Sequence, residues 1–152
     1  MSHSVIRPAT RDDVPAVVAM LADDPLGAAR EDLGDLATYD AAYDRVAADP
    51  AQHLVVAERD GTVVGTLQLS VIPGLSRRGA TRSVIEGVRV ARAERGSGLG
   101  TELVTWAVEE SRRLGCTLVQ LTSDASRVDA RRFYERLGFV ASHVGFKLAL
   151  DD

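Results

Sequence analysis

The sequence predicts an α/β domain in which helices pack on both faces of a mixed β-sheet, with the element order β-α-α-β-β-β-α-β-α-β-β. Three consecutive strand-like segments lie between residues 53 and 90. Segments with apolar residues at helical spacing then alternate with further strands, and this combination indicates a mixed (α+β) sheet. The length of 152 residues fits a single domain, which we expect to span residues 1–152.

The first fifty residues predict one strand and two helices. Val5–Pro8 resembles a short strand, and apolar residues at helical spacing predict a helix over Arg11–Ala22. Residues 23–36 contain proline, glycine and several carboxylates, so we expect a loop with room for a short helix. A second helix is predicted over Thr38–Ala48, and Pro50 stops it.

The three consecutive strands are predicted from β-branched and apolar segments. His53–Glu58 and Thr62–Ile72 flank the hairpin signal Asp60-Gly61, and Gly65 is typical of a bulge. After a loop over residues 73–81, the third of these strands is predicted over Val84–Val90.

The second half of the chain predicts two helices, each followed by strands. The helices are expected over Thr101–Gly115 and Arg127–Leu137, and each ends at a glycine. One strand, Thr117–Thr122, lies between them. Two short strands, Phe139–Ala141 and His143–Leu150, are predicted to finish the chain.

The composition argues against several classes of protein. A net charge of −4 at pH 7, with no basic footprint, disfavours a nucleic-acid partner. No apolar segment approaches the ~20 residues of a membrane span, so no membrane partner is expected. Cys116 is the only cysteine, which suits a cytoplasmic protein, and with three scattered histidines it provides no metal site.

A glycine-rich loop between the Val84–Val90 strand and the next helix has the form of a phosphate site. Glycines allow sharp turns and a close approach to a ligand, and the first N–H groups of the helix attract an anion. The lysine of a P-loop is absent, and Gly96-x-Gly98-x-Gly100 places the third glycine too early for a dinucleotide fingerprint. The pattern that fits is Arg95-x-x-Gly98-x-Gly100.

This loop resembles the pyrophosphate loop of the GCN5-related N-acetyltransferase (GNAT) family. A second motif agrees, because Phe133-Tyr134 followed by Leu137-Gly138-Phe139 is similar to the C-terminal helix of that family. The order of the two motifs, with one strand between them, also matches. The resemblance implies a GNAT-like acyl-CoA N-acyltransferase fold and an acetyl-CoA-dependent N-acetyltransferase.

The resemblance also implies where acetyl-CoA, the co-substrate, would bind. Its diphosphate would lie on the loop, and its pantetheine arm would pair with the strand edge before the loop. An asparagine that often precedes the helix alanine in the family is replaced here by Arg127, three residues before Ala130. Arg127 or Arg131 would instead reach a cofactor phosphate or the acceptor. The cofactor-binding residues implied are Val88, Arg89, Val90, Arg95, Gly96, Ser97, Gly98, Leu99, Gly100, Thr101, Arg127 and Arg131.

Two side chains are the candidates for proton transfer. Glu86 interrupts an apolar strand and is the expected base for the amine, although a structural pairing with Arg82 or Arg89 is the alternative. Tyr134 is the expected acid for the departing thiolate, because a phenol and an alkyl thiol have comparable pKa values. The alternative for Tyr134 is a structural tyrosine with a satisfied hydroxyl.

The leading hypothesis is direct transfer of acetyl from acetyl-CoA to a small-molecule primary amine in a ternary complex. The alternative from another class is a non-catalytic CoA-binding or regulatory module of the same fold. A homodimer through the late strands is common in the family and is therefore a second expectation about partners. No motif in residues 23–49 or 73–81 identifies the acceptor.

Overall fold

A five-stranded sheet, in the order β1-β2-β3-β4-β5, forms the centre of the computed structural model, which describes residues 3–151. The first four strands are antiparallel neighbours, and helix α5 connects β4 to β5. The strands are β1 (Ser4–Pro8), β2 (Gln52–Arg59), β3 (Thr62–Pro73), β4 (Thr81–Val90) and β5 (Leu118–Leu121). By their contacts the described residues form two units, the first ending at residue 120 and the second beginning at residue 121.

Six helical segments accompany the sheet within residues 3–151. They are α1 (Val14–Ala22), α2 (Pro25–Arg30), α3 (Leu36–Ala48), the four-residue turn α4 (Ser76–Gly79), α5 (Leu99–Arg113) and α6 (Val128–Arg136). Short 3-10 turns precede α1 and α5, at Arg11–Asp13 and Arg92–Glu94. Within residues 3–151, none of the helices has both the length and the apolarity needed to cross a membrane.

One part of the core of the first unit lies between β3 and α5. Leu67 and Leu69 on β3 are fully buried, as is Leu103 on α5. Gly65 allows this close packing, because a Cβ atom there would lie 2.9 Å from Leu103 Cδ1. The pairing of β2 with β3 shifts register next to Gly65, which agrees with the predicted irregularity.

Most predicted elements occur in the structure, with small shifts at their ends. The segment expected to be mainly loop contains α2, where Asp24 caps the helix by accepting a hydrogen bond from the Gly27 N–H. The predicted hairpin turn is present, with Asp60 and Gly61 both at positive φ. Helix α5 begins two residues earlier than expected, at Leu99.

The prediction of two final strands, Phe139–Ala141 and His143–Leu150, is wrong for this structure. Residues 137–151 contain no strand, although the alternation of apolar side chains that predicted one is present. Those side chains are exposed, and Phe146 retains 93% of its accessible surface. The physical reason is that a strand needs the backbone of a neighbour, which an alternating sequence cannot itself provide.

Candidate functional site

Strand β4 carries a bulge at the centre of the predicted site. Glu86 pairs with Gln68 and Arg89 pairs with Thr66, so β4 has more residues than β3 between these two positions. Gly87 lies in this interval with φ 63°, a left-handed conformation that favours glycine. The bulge re-aims the side chains that follow it, so Glu86 and Arg89 reach the same face of the sheet.

The end of β4 extends beyond its neighbour β5. Strand β5 has only four residues, and the Thr117 N–H just before it donates to the Thr81 carbonyl at the start of β4. The predicted cofactor-binding residues Val88, Arg89 and Val90 therefore lie past the end of β5, because β4 has ten residues. Their backbone is positioned to pair with an extended ligand.

The glycine-rich loop presents the start of α5 to solvent. Gly96 and Gly98 have φ 83° and 89°, and a Cβ atom on either would have no other atom within 4 Å. Leu99, only 1% exposed, anchors the loop in the core. The N–H groups of the first turn, including those of Gly100 and Thr101, lack intrahelical partners, so the open surface fits a diphosphate.

Two other predicted loop residues already have partners. The N–H and the hydroxyl of Ser97 both donate to the Glu94 carbonyl, at 3.2 and 2.6 Å, so Ser97 shapes the loop. Arg95 lies 3.4 Å and Arg92 2.6 Å from the Asp23 carboxylate. Surface pairs of this kind contribute ~0–1 kcal/mol, so a diphosphate can replace them. A cavity of about 370 Å³ adjoins Asp23 and Arg92.

Glu86 has the environment of an available carboxylate. It is exposed, and among residues 3–151 it forms no hydrogen bond or ion pair. The alternative pairing with Arg89 is not observed, because Arg89 Nε lies 3.3 Å from Asp24 Oδ2, with both side chains mostly buried. The guanidinium of Arg89 is therefore engaged at α2, and its backbone is the part that remains for a cofactor.

A group of polar residues that the sequence analysis did not select shares the Glu86 face of the sheet. Gln68 Nε2 and Ser70 Oγ both donate to Gln52 Oε1, at 2.8 and 2.6 Å. Arg82 lies on the same face of β4 as Glu86, since side chains two apart point the same way. The sequence pattern that could have identified these residues is the presence of polar residues at alternate positions in otherwise apolar strands. We call Gln52, Gln68, Ser70, Arg82 and Glu86 the polar sheet face.

The second unit carries the remaining predicted residues on or beside α6. Tyr134 is half-buried, with its ring edge-on to Phe133 and Phe139 at centroid distances of 5.0 and 5.9 Å. Arg131 is exposed and lies 3.2 Å from Glu135 Oε1, and Arg127 occupies the N-cap position. The two aromatic contacts fix the Tyr134 ring.

Neither metal nor cysteine chemistry is indicated. Across residues 3–151, no group of three His, Cys, Asp or Glu side chains is arranged to hold a metal ion. Cys116 is half-buried, and burial raises the pKa of its thiol. A raised pKa leaves less thiolate at neutral pH, so Cys116 is a poor nucleophile.

A family model and two named relatives point to one family. The model of the acetyltransferase (GNAT) family matches residues 16–139. Aminoalkylphosphonate N-acetyltransferase of Salmonella typhimurium is 35% identical over 95% of this chain and 90% of its own length. Glucosamine 6-phosphate N-acetyltransferase of Trypanosoma brucei brucei is 38% identical over 59% of each chain. A crystal structure described as a transcriptional regulator from Bacillus halodurans is 45% identical, with a TM-score of 0.94 over 97% of this chain and 100% of that one. The chain therefore belongs to the acetyltransferase (GNAT) family and is an acyltransferase.

Proposed function

We propose that this enzyme transfers the acetyl group of acetyl-CoA to the primary amine of a small molecule, by direct attack in a ternary complex. The observation that carries the proposal is the arrangement along residues 86–101. An exposed, unpaired carboxylate at Glu86 is followed by strand backbone that passes the end of β5, and then by an open helix N-terminus. The proposed base, the backbone N–H that would donate to the thioester carbonyl and the diphosphate site therefore follow one another along one segment of the chain.

In this proposal the cofactor is held mainly by the backbone. The N–H groups of the loop, from Arg95 to Thr101, bind the diphosphate. The pantetheine arm pairs along Val88–Val90, and the Val88 N–H polarises the thioester carbonyl. Arg127 and Arg131 reach a cofactor phosphate or the acceptor.

Glu86 and Tyr134 are the two groups that transfer protons in this reaction. Glu86 accepts a proton from the ammonium group of the acceptor, directly or through water. The free amine attacks the thioester carbon, a C–N bond forms, and the C–S bond breaks as the thiolate leaves. Tyr134 donates its phenolic proton to the thiolate, and the second proton, which the nitrogen loses as the amide forms, restores the Tyr134 hydroxyl. The products are therefore an acetylated amine and CoA.

The relatives support a narrower class of acceptor. The names of the Salmonella and Trypanosoma enzymes each describe an amine that also carries a phosphonate or phosphate group. We propose an acceptor of the same kind here, with an amine and a phosphorus oxyanion in one small molecule.

The test is a screen for free thiol released from acetyl-CoA. The panel contains aminoethylphosphonate, glucosamine 6-phosphate, aminoglycosides, amino acids and a peptide with a free N-terminus. We expect the greatest kcat/KM with a phosphorus-containing amine. Tight binding of acetyl-CoA without turnover on any amine would favour the alternative, a non-catalytic CoA-binding or regulatory module.

We further propose that the protein acts as a homodimer in the cytoplasm, with residues 1–152 as one domain. The exposed apolar side chains after residue 139 support the dimer, because they alternate as in a strand that needs a partner. The single cysteine suits a reducing compartment. The family match supports the single domain, since it runs through both units.

A further inference from the structure

The polar sheet face occupies interior strands, where side chains usually serve the core. In the sheet order, β2, β3 and β4 all have neighbours on both sides. The opposite face of β4 is apolar or closed, because Ile85 is buried and Ser83 Oγ lies 2.7 Å from Ser111 Oγ on α5. On the Glu86 face, Arg82 and the Gln52 group are instead only partly buried. Such polar groups on central strands indicate a binding surface.

Arg82 differs in its ion pairing from other arginines whose side chains project from the sheet. Arg7, Arg59 and Arg89 each pair with a carboxylate. Like Arg59, Arg82 has a buried Nε with no hydrogen-bond partner, but within residues 3–151 the guanidinium of Arg82 forms no ion pair. An N–H that is buried without an acceptor costs stability even when the rest of its side chain is only partly buried, and an anion would recover that cost.

The guanidinium of Arg82 lies beside the loop that precedes β4. A Cβ atom added to Gly74 would lie 4.0 Å from Arg82 Nη1. In α4, Arg77 and Arg78 have φ 53° and 61°, which costs about 1–2 kcal/mol per residue for a side chain other than glycine. Both side chains are exposed, and only Ala80 separates α4 from β4, so the chain carries three arginines near this end of β4, a charge that attracts anions.

Gln52 adds a neutral donor on the other side of the same face. Its Oε1 accepts from Gln68 and Ser70, and its amide NH₂ forms no hydrogen bond in the described part of the chain. Gln52 pairs with Ser70, and Ser70 pairs with Val84, so the Gln52 strand lies two strands from β4. Two strand spacings are about 10 Å, and Arg82 lies two residues, about 7 Å, before Val84 on β4. The Cα atoms of Gln52 and Arg82 are therefore roughly 12 Å apart, a distance that the two long side chains can bridge around a tetrahedral oxyanion.

The positions along β4 separate this site from the coenzyme diphosphate. Arg82 and Val90 are eight residues apart, so their Cα atoms are separated by roughly 26 Å, too far for Arg82 to reach the glycine loop. Arg82 and Glu86 are four residues apart, about 13 Å between Cα atoms. A short amine with an anionic group at its far end spans the gap that remains between the two side-chain ends.

We infer that Arg82, assisted by the amide of Gln52, forms an anion subsite that holds the phosphonate or phosphate of the acceptor while its amine lies at Glu86. This inference rests on the proposed function, because it assigns the acceptor of that reaction. It makes Arg82 a specificity-determining residue. The inference leaves the proposed role of Glu86, which receives the amine of the acceptor, unchanged.

The test compares Arg82→Gln with the wild-type enzyme on two acceptors of similar length, aminoethylphosphonate and the neutral aminopropanol. We expect KM for aminoethylphosphonate to rise about 10- to 100-fold, the effect of losing a charged hydrogen bond, with little change in kcat. KM for aminopropanol and for acetyl-CoA should not change. Arg112→Gln is the matched control, because Arg112 is exposed on α5 and pairs with Glu109.

A binding measurement separates this inference from the proposed function. Calorimetry with methylphosphonate, which has no amine, should show binding to the wild-type protein and at least tenfold weaker binding to Arg82→Gln. Equal binding to both proteins, or equal KM changes for the charged and neutral amines, would overturn the subsite. Binding that depends on Arg82 without turnover of any amine would retain the subsite and refute the proposed acetyl transfer.

Discussion

Glu86 and Tyr134 are expected to carry opposite proton transfers, and their surroundings differ accordingly. Glu86 is exposed and has no charged partner among residues 3–151, so its carboxylate is available to an incoming ammonium group. Tyr134 is half-buried between Phe133 and Phe139, so its ring is held in one orientation. A base that meets a variable acceptor benefits from access, while an acid aimed at one sulfur atom benefits from rigidity.

Replacing Tyr134 with phenylalanine should lower kcat and leave acetyl-CoA affinity unchanged. The substitution removes the hydroxyl but keeps the ring that packs edge-on against Phe133 and Phe139. General acid catalysis contributes about 10²–10⁴-fold, so a loss in that range is expected in steady-state kinetics. Tyr39→Phe is the control, because the Tyr39 hydroxyl bonds Glu31 and the Asp32 N–H. Full activity of Tyr134→Phe would remove the acid assignment.

Replacing Glu86 with glutamine should lower kcat/KM at neutral pH by about 10²-fold or more. The defect should become smaller as pH rises, because more of the acceptor amine is then unprotonated and needs no base. A pH profile of kcat/KM for the variant and the wild type measures this. Glu109→Gln, a change on the exposed side of α5, should behave as wild type. A defect that stays constant up to the pKa of the amine would contradict the role of Glu86 as base.

Helix α5 joins the glycine-rich loop to the core, and a left-handed glycine lies at each of its two ends. Its N-cap is Gly98, with φ 89°, and Gly115 follows its C-terminus, with φ 82°. Leu99, Leu103 and Ala107 bury the helix against the sheet, so the first turn is held rigidly. Rigid N–H groups bind an anion without having to be ordered first.

Gly98→Ala and Gly115→Ala should separate stability from cofactor binding. Both glycines are left-handed with open surroundings, so each alanine should reduce the free energy of unfolding by about 1–2 kcal/mol. Only Gly98→Ala should also raise the Kd for acetyl-CoA, because only Gly98 lies at the proposed diphosphate site. Denaturant melts and calorimetry provide the two measurements. Equal Kd values for the two variants would contradict the placement of the diphosphate.

The start of α1 is stabilised by an ion pair that depends on pH. Arg7 Nη1 lies 2.8 Å from Asp13 Oδ2, and its hydrogen bonds lower the pKa of Asp13 to about 2. Because this folded-state pKa is below the ordinary value of 3.8, the stabilisation is complete above pH 4 and is lost as pH falls toward 2.

Asp13→Asn should therefore reduce the free energy of unfolding at pH 7 by about 2 kcal/mol. Between pH 4 and pH 2 the stability of the variant should fall less steeply than that of the wild type. Urea melts across this range measure both effects, with Asp12→Asn as the neighbouring control. Parallel pH curves for Asp13→Asn and the wild type would show that the pair contributes no such stability.

The exposed C-terminal segment bears on the assembled state of the protein. Val144, Phe146, Leu148 and Leu150 alternate and each keeps at least 79% of its surface accessible. An alternating apolar segment without a partner strand is a site for pairing with another chain. A second copy of the protein would supply that partner.

The double substitution Phe146→Ser and Leu148→Ser should convert a dimer into a monomer. It removes two large apolar side chains from the segment and leaves every residue of the polar sheet face unchanged. Light scattering with size-exclusion chromatography measures the mass, and Val5→Ser, at another exposed apolar side chain, is the control. A wild-type protein that is monomeric at high concentration would refute the dimer.

Local patterns were enough to predict the segment from Val84 to Gly115 and the helix that contains Tyr134. Glycine spacing, helix periodicity and hairpin signals depend on residues close in the chain, so the sequence alone indicated the family and the glycine-rich loop before α5. The outcome at Gly98, a left-handed N-cap with open space around it, is the geometry that such a loop requires.

Other features depended on contacts between distant residues. The pairing of Arg89 with Asp24 joins residues 65 positions apart, so the sequence left Arg89 and Arg82 equally available to Glu86. The polar sheet face exists because the register pairs Gln52 with Ser70 and Gln68 with Glu86. The prediction of the two final strands was wrong for the same reason, because a strand forms only when a neighbouring strand is there to pair with it. Short-range order follows from the residues themselves, whereas the choice among distant partners is made only when the chain packs.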